Sequence, residues 1–212
     1  MSYLVLVRHG KSQWNKDGLW TGWRDIPLAP EGYEEARRTA AEIKDKHIHF
    51  DIAYTSDLIR AQQTLDEVLK IIGQTDIQII KDPAIKERNY GDYTEKNKWQ
   101  LKEQFGEDEF QKIRRAWDYP PPNGESLKMV YERTVPYYKQ VIEPQLKAGK
   151  NVLVSAHGNS LRALVKYLEN ISDADIENLE FGLGEAYVYR MDSEGKIINK
   201  EILGKNPEAG KV

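Results

Sequence analysis

Tyr3-Leu4-Val5-Leu6-Val7-Arg8-His9-Gly10 is an apolar run that stops abruptly at an arginine, a histidine and a glycine. Strands buried on both faces have this near-continuous aliphatic character, and open α/β sheets place ligand sites just past the carboxyl ends of their strands. The stretch therefore reads as a buried strand that delivers chemistry at its end. Far downstream, Asn151-Val152-Leu153-Val154-Ser155-Ala156 repeats the pattern and ends in His157-Gly158-Asn159. Two such junctions side by side in one parallel sheet would bring two imidazoles to a single crevice.

Between and beyond these anchors, strands alternate with helices. Lys11 to Pro30 scatters Trp14, Trp20 and Trp23 among glycines and prolines without a sustained period, and reads as a loop that wraps a site. Ala36, Ala40 and Ile43 predict a helix from Pro30 to about Lys46. Phe50 to Thr55 reads as a second strand. Ser56 or Asp57 is then placed to cap a helix running to Ile72 and stopped by Gly73, with Arg60 in its first turn. A third strand is expected at Ile77 to Ile80, followed by an irregular stretch from Pro83 to Tyr93. Helical patterns cover 96–105 and 107–117, and three prolines within Tyr119 to Gly124 break them. Glu125 to Leu146 reads as helical, with interruptions near Pro136 and Pro144. Helices are also expected from Ser160 to about Glu169 and from Ser172 to Leu179. Ala186 to Met191 and Ile197 to Leu203 have the look of a hairpin closing a sheet edge. This order predicts a three-layer α/β/α sandwich with a mostly parallel central sheet. One domain over residues 1–212 is expected, with 206–212 as a loose tail.

Composition narrows the function. With 31 Lys+Arg against 34 Asp+Glu the net charge is -3, so there is no global basic field for nucleic acid and any anion site must be local. Cysteine is absent, which removes disulfides, thiolate chemistry and Cys-ligated zinc. The apolar run after Met1 is too short for a signal-peptide core or a membrane span, so a cytosolic protein without membrane attachment is expected.

The candidates for chemistry are Arg8, His9, Arg60, Glu87, His157 and the pair Arg114-Arg115. Adjacent arginines on a helix are usually a solvated face, and a lone histidine in a loop usually does nothing. The odds change because Arg8, His9, Arg60 and His157 all fall just past expected strand ends. A neutral histidine is a competent nucleophile toward a phosphoryl group, and arginine's planar fork suits phosphate oxygens. Phosphoryl transfer is mostly positioning and charge stabilisation, which arginines and a second histidine supply without a metal. A carboxyl must protonate the leaving oxygen, and beside phosphate anions its pKa would rise far enough to do so; Glu87 is the candidate. Gly10-Lys11-Ser12 superficially suggests a nucleotide-binding P-loop, but that motif needs a glycine where Val5 stands. His47 and His49 have no acidic or Cys partner at metal-binding spacing and read as solvated.

Val7-Arg8-His9-Gly10, Ser12-Gln13-Trp14-Asn15, Thr21-Gly22-Trp23, Tyr54-Thr55-Ser56 with Arg60-Ala61, Glu87-Arg88-Asn89-Tyr90-Gly91, Asn97-Lys98, Arg114-Arg115 and Ala156-His157-Gly158-Asn159-Ser160-Leu161-Arg162 together resemble the cofactor-dependent phosphoglycerate mutases of the histidine phosphatase superfamily. The resemblance runs in order along nearly the whole chain. It implies interconversion of 3- and 2-phosphoglycerate in glycolysis and gluconeogenesis, with 2,3-bisphosphoglycerate as primer and no metal. His9 would be the phosphorylated nucleophile and Glu87 the proton donor and acceptor. Arg8, Arg60 and His157 would hold the transferring group. Gly10, Ser12, Asn15, Thr21, Gly22, Arg88, Asn89, Tyr90, Lys98, Arg114, Arg115, Gly158 and Asn159 would complete the substrate pocket. The family also implies a homodimer or homotetramer.

The sequence departs from the family pattern at Lys11, where a glutamate is usual, at Asp92 to Glu95, and at Leu183-Gly184-Glu185-Ala186. Residues 116–124 are also few where many relatives carry a longer lid-like insertion. Less cover over the site raises the expectation of hydrolysis. A broad-specificity histidine phosphatase is therefore the first alternative, which the Arg114-Arg115 pair argues against. A non-catalytic phospholigand-binding protein is the second.

Overall fold

The computed structural model describes residues 1–206. Six strands, β1 (Ser2–Arg8), β2 (Ile52–Thr55), β3 (Gln78–Lys81), β4 (Val152–Ala156), β5 (Ala186–Met191) and β6 (Ile197–Leu203), form one sheet in the order β3-β2-β4-β1-β5-β6. The first four of that order run parallel, and the β5–β6 hairpin adds antiparallel strands beside β1. Both anchor stretches are strands and immediate neighbours, with Leu4 opposite Val152 and Arg8 opposite Ala156.

Period-two alternation builds both layers of core from the same strand. Leu4 and Leu6 pack with Val152, Val154, Leu161 and Leu164 on one face, and Val5 and Val7 with Ala40, Ile43, Leu65 and Leu153 on the other. Helices α2 (Pro30–Lys44) and α3 (Ile59–Ile72) contribute to the second face; α6 (Leu127–Tyr137), α7 (Glu143–Lys147) and α8 (Gly158–Leu168) contribute to the first. All four of Leu4 to Val7 are fully buried. At about 1.5–3 kcal/mol for each large side chain, that run is a substantial share of the core. A separate cluster of Trp20, Leu101, Phe110 and Ile113 joins the loop after β1 to α4 (Lys98–Phe105) and α5 (Glu107–Arg115), above the strand ends. Among the described residues, no helix is long and apolar enough to cross a membrane.

Several local expectations are corrected. The stretch from Lys11 to Pro30 is not all loop: Ser12 caps a one-turn helix, α1 (Gln13–Lys16), through a reciprocal bond set with Asn15. Neither Ser56 nor Asp57 caps α3, which begins after Leu58 without a side-chain cap. Ser56 Oγ is drawn to His157 and Asp57 pairs with Lys86 at 2.8 Å, so tertiary partners outcompete the capping role. The helix α6 continues through Pro136 and widens just afterwards into a π turn over Tyr138–Ile142, a device that absorbs the missing N–H and the ring's bulk. Residues 172–179 make only a short 3-10 turn, Asp175–Asn178. The expected tail begins with a tethered residue, since Asn206 donates its amide to Glu185 and its side chain to the Leu183 carbonyl. Residues 207–212 lie outside the described residues.

The loop that carries His9 is pressed against the start of α2. A Cβ on Gly10 would come within 2.1 Å of the Gly32 carbonyl oxygen, and a Cβ on Gly32 within 2.2 Å of the Lys11 carbonyl oxygen. Backbone meets backbone there, so neither side can yield cheaply. Gly10→Ala is expected to destabilise the protein by about 2–4 kcal/mol, in the range of severe overpacking. Urea unfolding monitored by tryptophan fluorescence checks this, and a change below about 0.5 kcal/mol would refute the contact.

Candidate active site

The β1–β4 register leaves His9 and His157 one residue past paired strand ends, with ring centroids 5.0 Å apart. That distance is close to the spacing of neighbouring strands. Both rings are buried. His9 Nδ1 lies 2.7 Å from the Gly10 carbonyl. A carbonyl can only accept, so Nδ1 carries the proton and Nε2 keeps its lone pair. His157 Nε2 lies 2.7 Å from Ser56 Oγ, and its buried Nδ1 has no hydrogen-bond partner among the described residues. Burial first, and then the Arg60 charge, hold both imidazoles well below their ordinary pKa. Both are neutral at pH 7.

Arg8 ends β1 with its guanidinium against Gly158, where a Cβ would approach its Cζ to 3.1 Å. Its NH1 donates to the Phe181 carbonyl, and its buried Nε has no partner among the described residues. Arg60 is engaged by the backbone. It donates to the carbonyls of Arg24 at 2.9 Å and Gly22 at 2.8 Å, tying down the loop after α1. Its charge still bears on His9 and His157; burial pushes its pKa down to about 10, which leaves it protonated at neutrality.

Glu87 lies in the irregular stretch after β3 and is buried. Its Oε1 accepts from the Arg88 amide at 2.7 Å and from the Asn159 amide and side chain at 3.2 and 3.0 Å. Burial raises its pKa, but the Arg88 amide, the Arg8 charge and the Asn159 side chain outweigh this and hold it below the ordinary value. The segment is splinted by Arg133 of α6, which donates to the carbonyls of Ala84, Lys86 and Glu87 and pairs with Glu125 at 2.8 Å. His9, Glu87 and His157 present ligand atoms within 4.8 Å of one another, close enough to consider a metal. The Arg8 and Arg60 charges acting on the same groups favour an anion instead.

His9, Arg8, Arg60 and Glu87 open into a cavity of about 280 Å³ whose lining also includes Lys11, Lys16, Lys98, Arg114 and Glu180, whereas His157 is fully buried behind His9 and stands outside the lining. Asn15, Thr21, Gly22 and Tyr90 also line it, and the buried Thr21 Oγ1 lacks a partner among the described residues. Lys98 is pushed down to about 8, by burial and then by the charges of Arg114 and Arg8. Burial, followed by neighbouring Arg115, brings Arg114 to about 10. Other expected site residues stand outside the lining. Arg88 is fully buried, donating to the Ile113 carbonyl beneath the Tyr90 ring. Asn89 supports the turn at Gly91, and Arg115 turns to Glu180. Gly10, Ser12, Gly158 and Asn159 act from behind, through backbone fit, the α1 cap and the bonds to Glu87 and Tyr90.

Sequence reading did not single out Ser56 as the partner of His157, nor Arg133 or Glu180. For Glu180 a signal existed. The hairpin strand β5 runs antiparallel to β1, with Ala186 opposite Val7, so the residues just before β5 must lie at the strand end that carries His9.

Fold and site together define an α/β protein with two neighbouring histidines at the carboxyl ends of its parallel strands, one of them lining a cavity rich in arginine and lysine. The chain belongs to the histidine phosphatase superfamily, branch 1, whose family profile matches residues 4–201. A Parvibaculum lavamentivorans protein named 2,3-bisphosphoglycerate-dependent phosphoglycerate mutase is 48% identical over 94% of this chain and 95% of its own length. A Schizosaccharomyces pombe phosphoglycerate mutase is 44% identical, covering 94% of this chain and 95% of its own. Among solved structures, a mycobacterial glucosyl-3-phosphoglycerate phosphatase superposes with a TM-score of 0.80 at 20% identity over 95% of this chain and 97% of its own. An alpha-ribazole phosphatase from Shigella flexneri gives 0.77 at 24% identity over 96% of each chain. At those identities the structural likeness concerns the fold.

Two buried neutral histidines make stability depend on pH in a definite sense. Their native pKa values lie below the unfolded value of about 6.5, so the unfolded chain binds protons first and stability falls as pH drops below that point. Urea unfolding between pH 7 and 5 is expected to show wild type losing up to about 1.4 kcal/mol per pH unit per histidine more than a His9→Asn/His157→Asn variant. Parallel curves for the two proteins would contradict the assigned shifts.

Proposed function

We propose that this chain interconverts 3-phosphoglycerate and 2-phosphoglycerate, with His9 carrying the phosphoryl group between substrate and product. The observation that carries the reading is the His9 ring: neutral, fixed by Gly10 so that Nε2 keeps its lone pair, and set among cations. The naming of relatives at 43–48% identity supports the choice of substrate.

In this reading His9 Nε2 attacks phosphorus, an N–P bond forms and the ester P–O bond breaks. Charge spreads over the three equatorial oxygens. The unpartnered Arg8 Nε and His157 Nδ1 are donors suited to those oxygens, with Ser56 Oγ–H donating to His157 Nε2 so that Nδ1 bears the proton. Glu87 gives a proton to the leaving oxygen and retrieves one on the return transfer. Phosphate beside Arg8 would offset one of the charges that hold its carboxyl low, coupling its protonation to substrate arrival. Lys98, Arg114 and the Thr21 hydroxyl suit a second anionic group, so the donor set fits a bisphosphate as well as a phosphoglycerate. Bound 2,3-bisphosphoglycerate would supply the phosphoryl group that primes His9. The positive charge comes from arginines, so no step calls for a metal. We extend the family reading to a cytoplasmic homodimer or homotetramer, and to one catalytic domain over the whole chain.

Hydrolysis is the second reading, and one observation favours it. No residue of 116–124 belongs to the cavity lining; this segment is stapled to 89–92, with Pro122 accepting from the Asp92 amide and Glu125 donating its own to Asn89. Less chain therefore excludes water.

The decisive experiment follows 3-phosphoglycerate with chelator present, with and without a trace of 2,3-bisphosphoglycerate, scoring 2-phosphoglycerate and free phosphate together. Primer-dependent isomerisation with little phosphate release is expected; phosphate release without isomerisation would replace the mutase with the hydrolase. His9→Ala should abolish both activities. Glu87→Gln should lower kcat by about 10²–10⁴ while leaving acid-labile phosphate detectable on His9, as loss of a general acid-base group predicts.

A further inference from the structure

The cation-lined cavity contains an acid that the proposed chemistry does not use. Glu180 sits between the 3-10 turn Asp175–Asn178 and β5, and its carboxylate pairs with two arginines at once. One oxygen lies 3.6 Å from Arg8 NH1, and the other is in close contact with Arg115 NH2. Its field also bears on Arg114 and on the buried Arg162. The backbone on both sides is fastened. Arg162 donates to the Leu179 carbonyl at 3.1 Å, the Tyr187 hydroxyl to the Glu180 carbonyl at 3.0 Å, and Arg8 to the Phe181 carbonyl. Phe181 is fully buried and stacked on Tyr187, with ring centroids 3.9 Å apart. The main chain is thereby anchored, while the Glu180 side chain is 28% exposed with Oε2 buried against Arg115, so the carboxylate is attached to a fixed backbone through a side chain that reaches solvent.

We propose that Glu180 is a built-in counter-anion, a specificity-determining residue that occupies Arg8 and Arg115 and sets how much negative charge a ligand must bring to take its place. Its chemistry imitates one anionic group of the ligand. An organophosphate with a second anionic group can engage both arginines and displace the carboxylate; a small lone anion must share Arg8 with it. The arrangement also accounts for Arg115 lying outside the cavity lining: its guanidinium is held by Glu180. This inference rests on the reading of the cavity as a phospholigand site.

A structural role and a competing role predict opposite signs on substitution. If Glu180 merely orients Arg8 and Arg115, its loss weakens anion binding; if it competes, its loss strengthens it. The test is calorimetric titration of the full chain with inorganic phosphate at low ionic strength, comparing wild type with Glu180→Gln and Glu180→Ala. The carboxamide keeps size and removes charge, and the alanine variant controls for new hydrogen bonds made by the carboxamide. Both variants are expected to bind phosphate roughly five- to tenfold more tightly, the scale of removing one partly exposed like charge. They should also show a steeper loss of affinity with added salt. Affinity unchanged or weakened in both variants overturns this inference alone, whatever the outcome with 3-phosphoglycerate. Absence of phosphate binding by all three proteins overturns it together with the phospholigand reading of the cavity.

Discussion

The parallel pairing of β1 with β4 is the constraint on which everything else depends. Because Arg8 stands opposite Ala156, the next residue on each strand is a histidine, and the lateral spacing of a β-sheet becomes the distance between two imidazoles. The ladder even continues past β1, since the His9 amide donates to the Ala156 carbonyl at 3.0 Å. A slip of one residue would turn the Leu4 and Leu6 set to the opposite face and separate the rings together. Core packing thus protects the geometry of the histidine pair: the same alternation that buries Leu4 to Val7 on two faces forbids the slip.

Placing neutral histidines among arginines is costly for the arginines, and the fold distributes that cost. Arg60 is nearly fully buried yet does not rely on an acid as a direct partner; it donates to the backbone carbonyls of Gly22 and Arg24, while Arg88 donates NH2 to the Ile113 carbonyl and lies over the Tyr90 ring. Carbonyl dipoles solvate a guanidinium without cancelling its charge, so the field at His9 persists. Glu87 is treated in the complementary way, with amide donors from Arg88 and Asn159 keeping a buried carboxylate ionised. Charges held by neutral dipoles stay available to a ligand. The exception is Glu180, which meets both Arg8 and Arg115 as an ion.

Much of this was legible in the sequence, for identifiable reasons. Strand ends announced themselves because an aliphatic run broke at Arg-His-Gly twice, and parallel strands need no further information to place their ends together. Helices α2 and α3 followed from apolar spacing, and Gly73 does end α3 in the left-handed conformation, at φ 73°. What escaped were features decided by competition between distant partners. Ser56 had every local qualification for a helix cap, and a histidine 101 residues away claimed its hydroxyl. Arg133 looked like one charge on a helix, and the irregular segment it splints gave no periodic signal. Arg60 was located just past a strand end, but the carbonyls that engage it belong to a loop whose path the sequence did not specify.

The backbone contact between Gly10 and Gly32 bears on how such a protein can diversify. Beneath His9 the packing is main chain against main chain, with no side chain through which a substitution could adjust the floor by small steps. Around the cavity, Lys11, Lys16, Trp99, Glu180 and Leu183 are side chains on loops, on the one-turn α1 and on the start of α4, each replaceable without moving the sheet. Chemistry and selectivity are therefore separately inheritable: the reaction is locked into the scaffold, and the range of molecules offered to it is left open to drift.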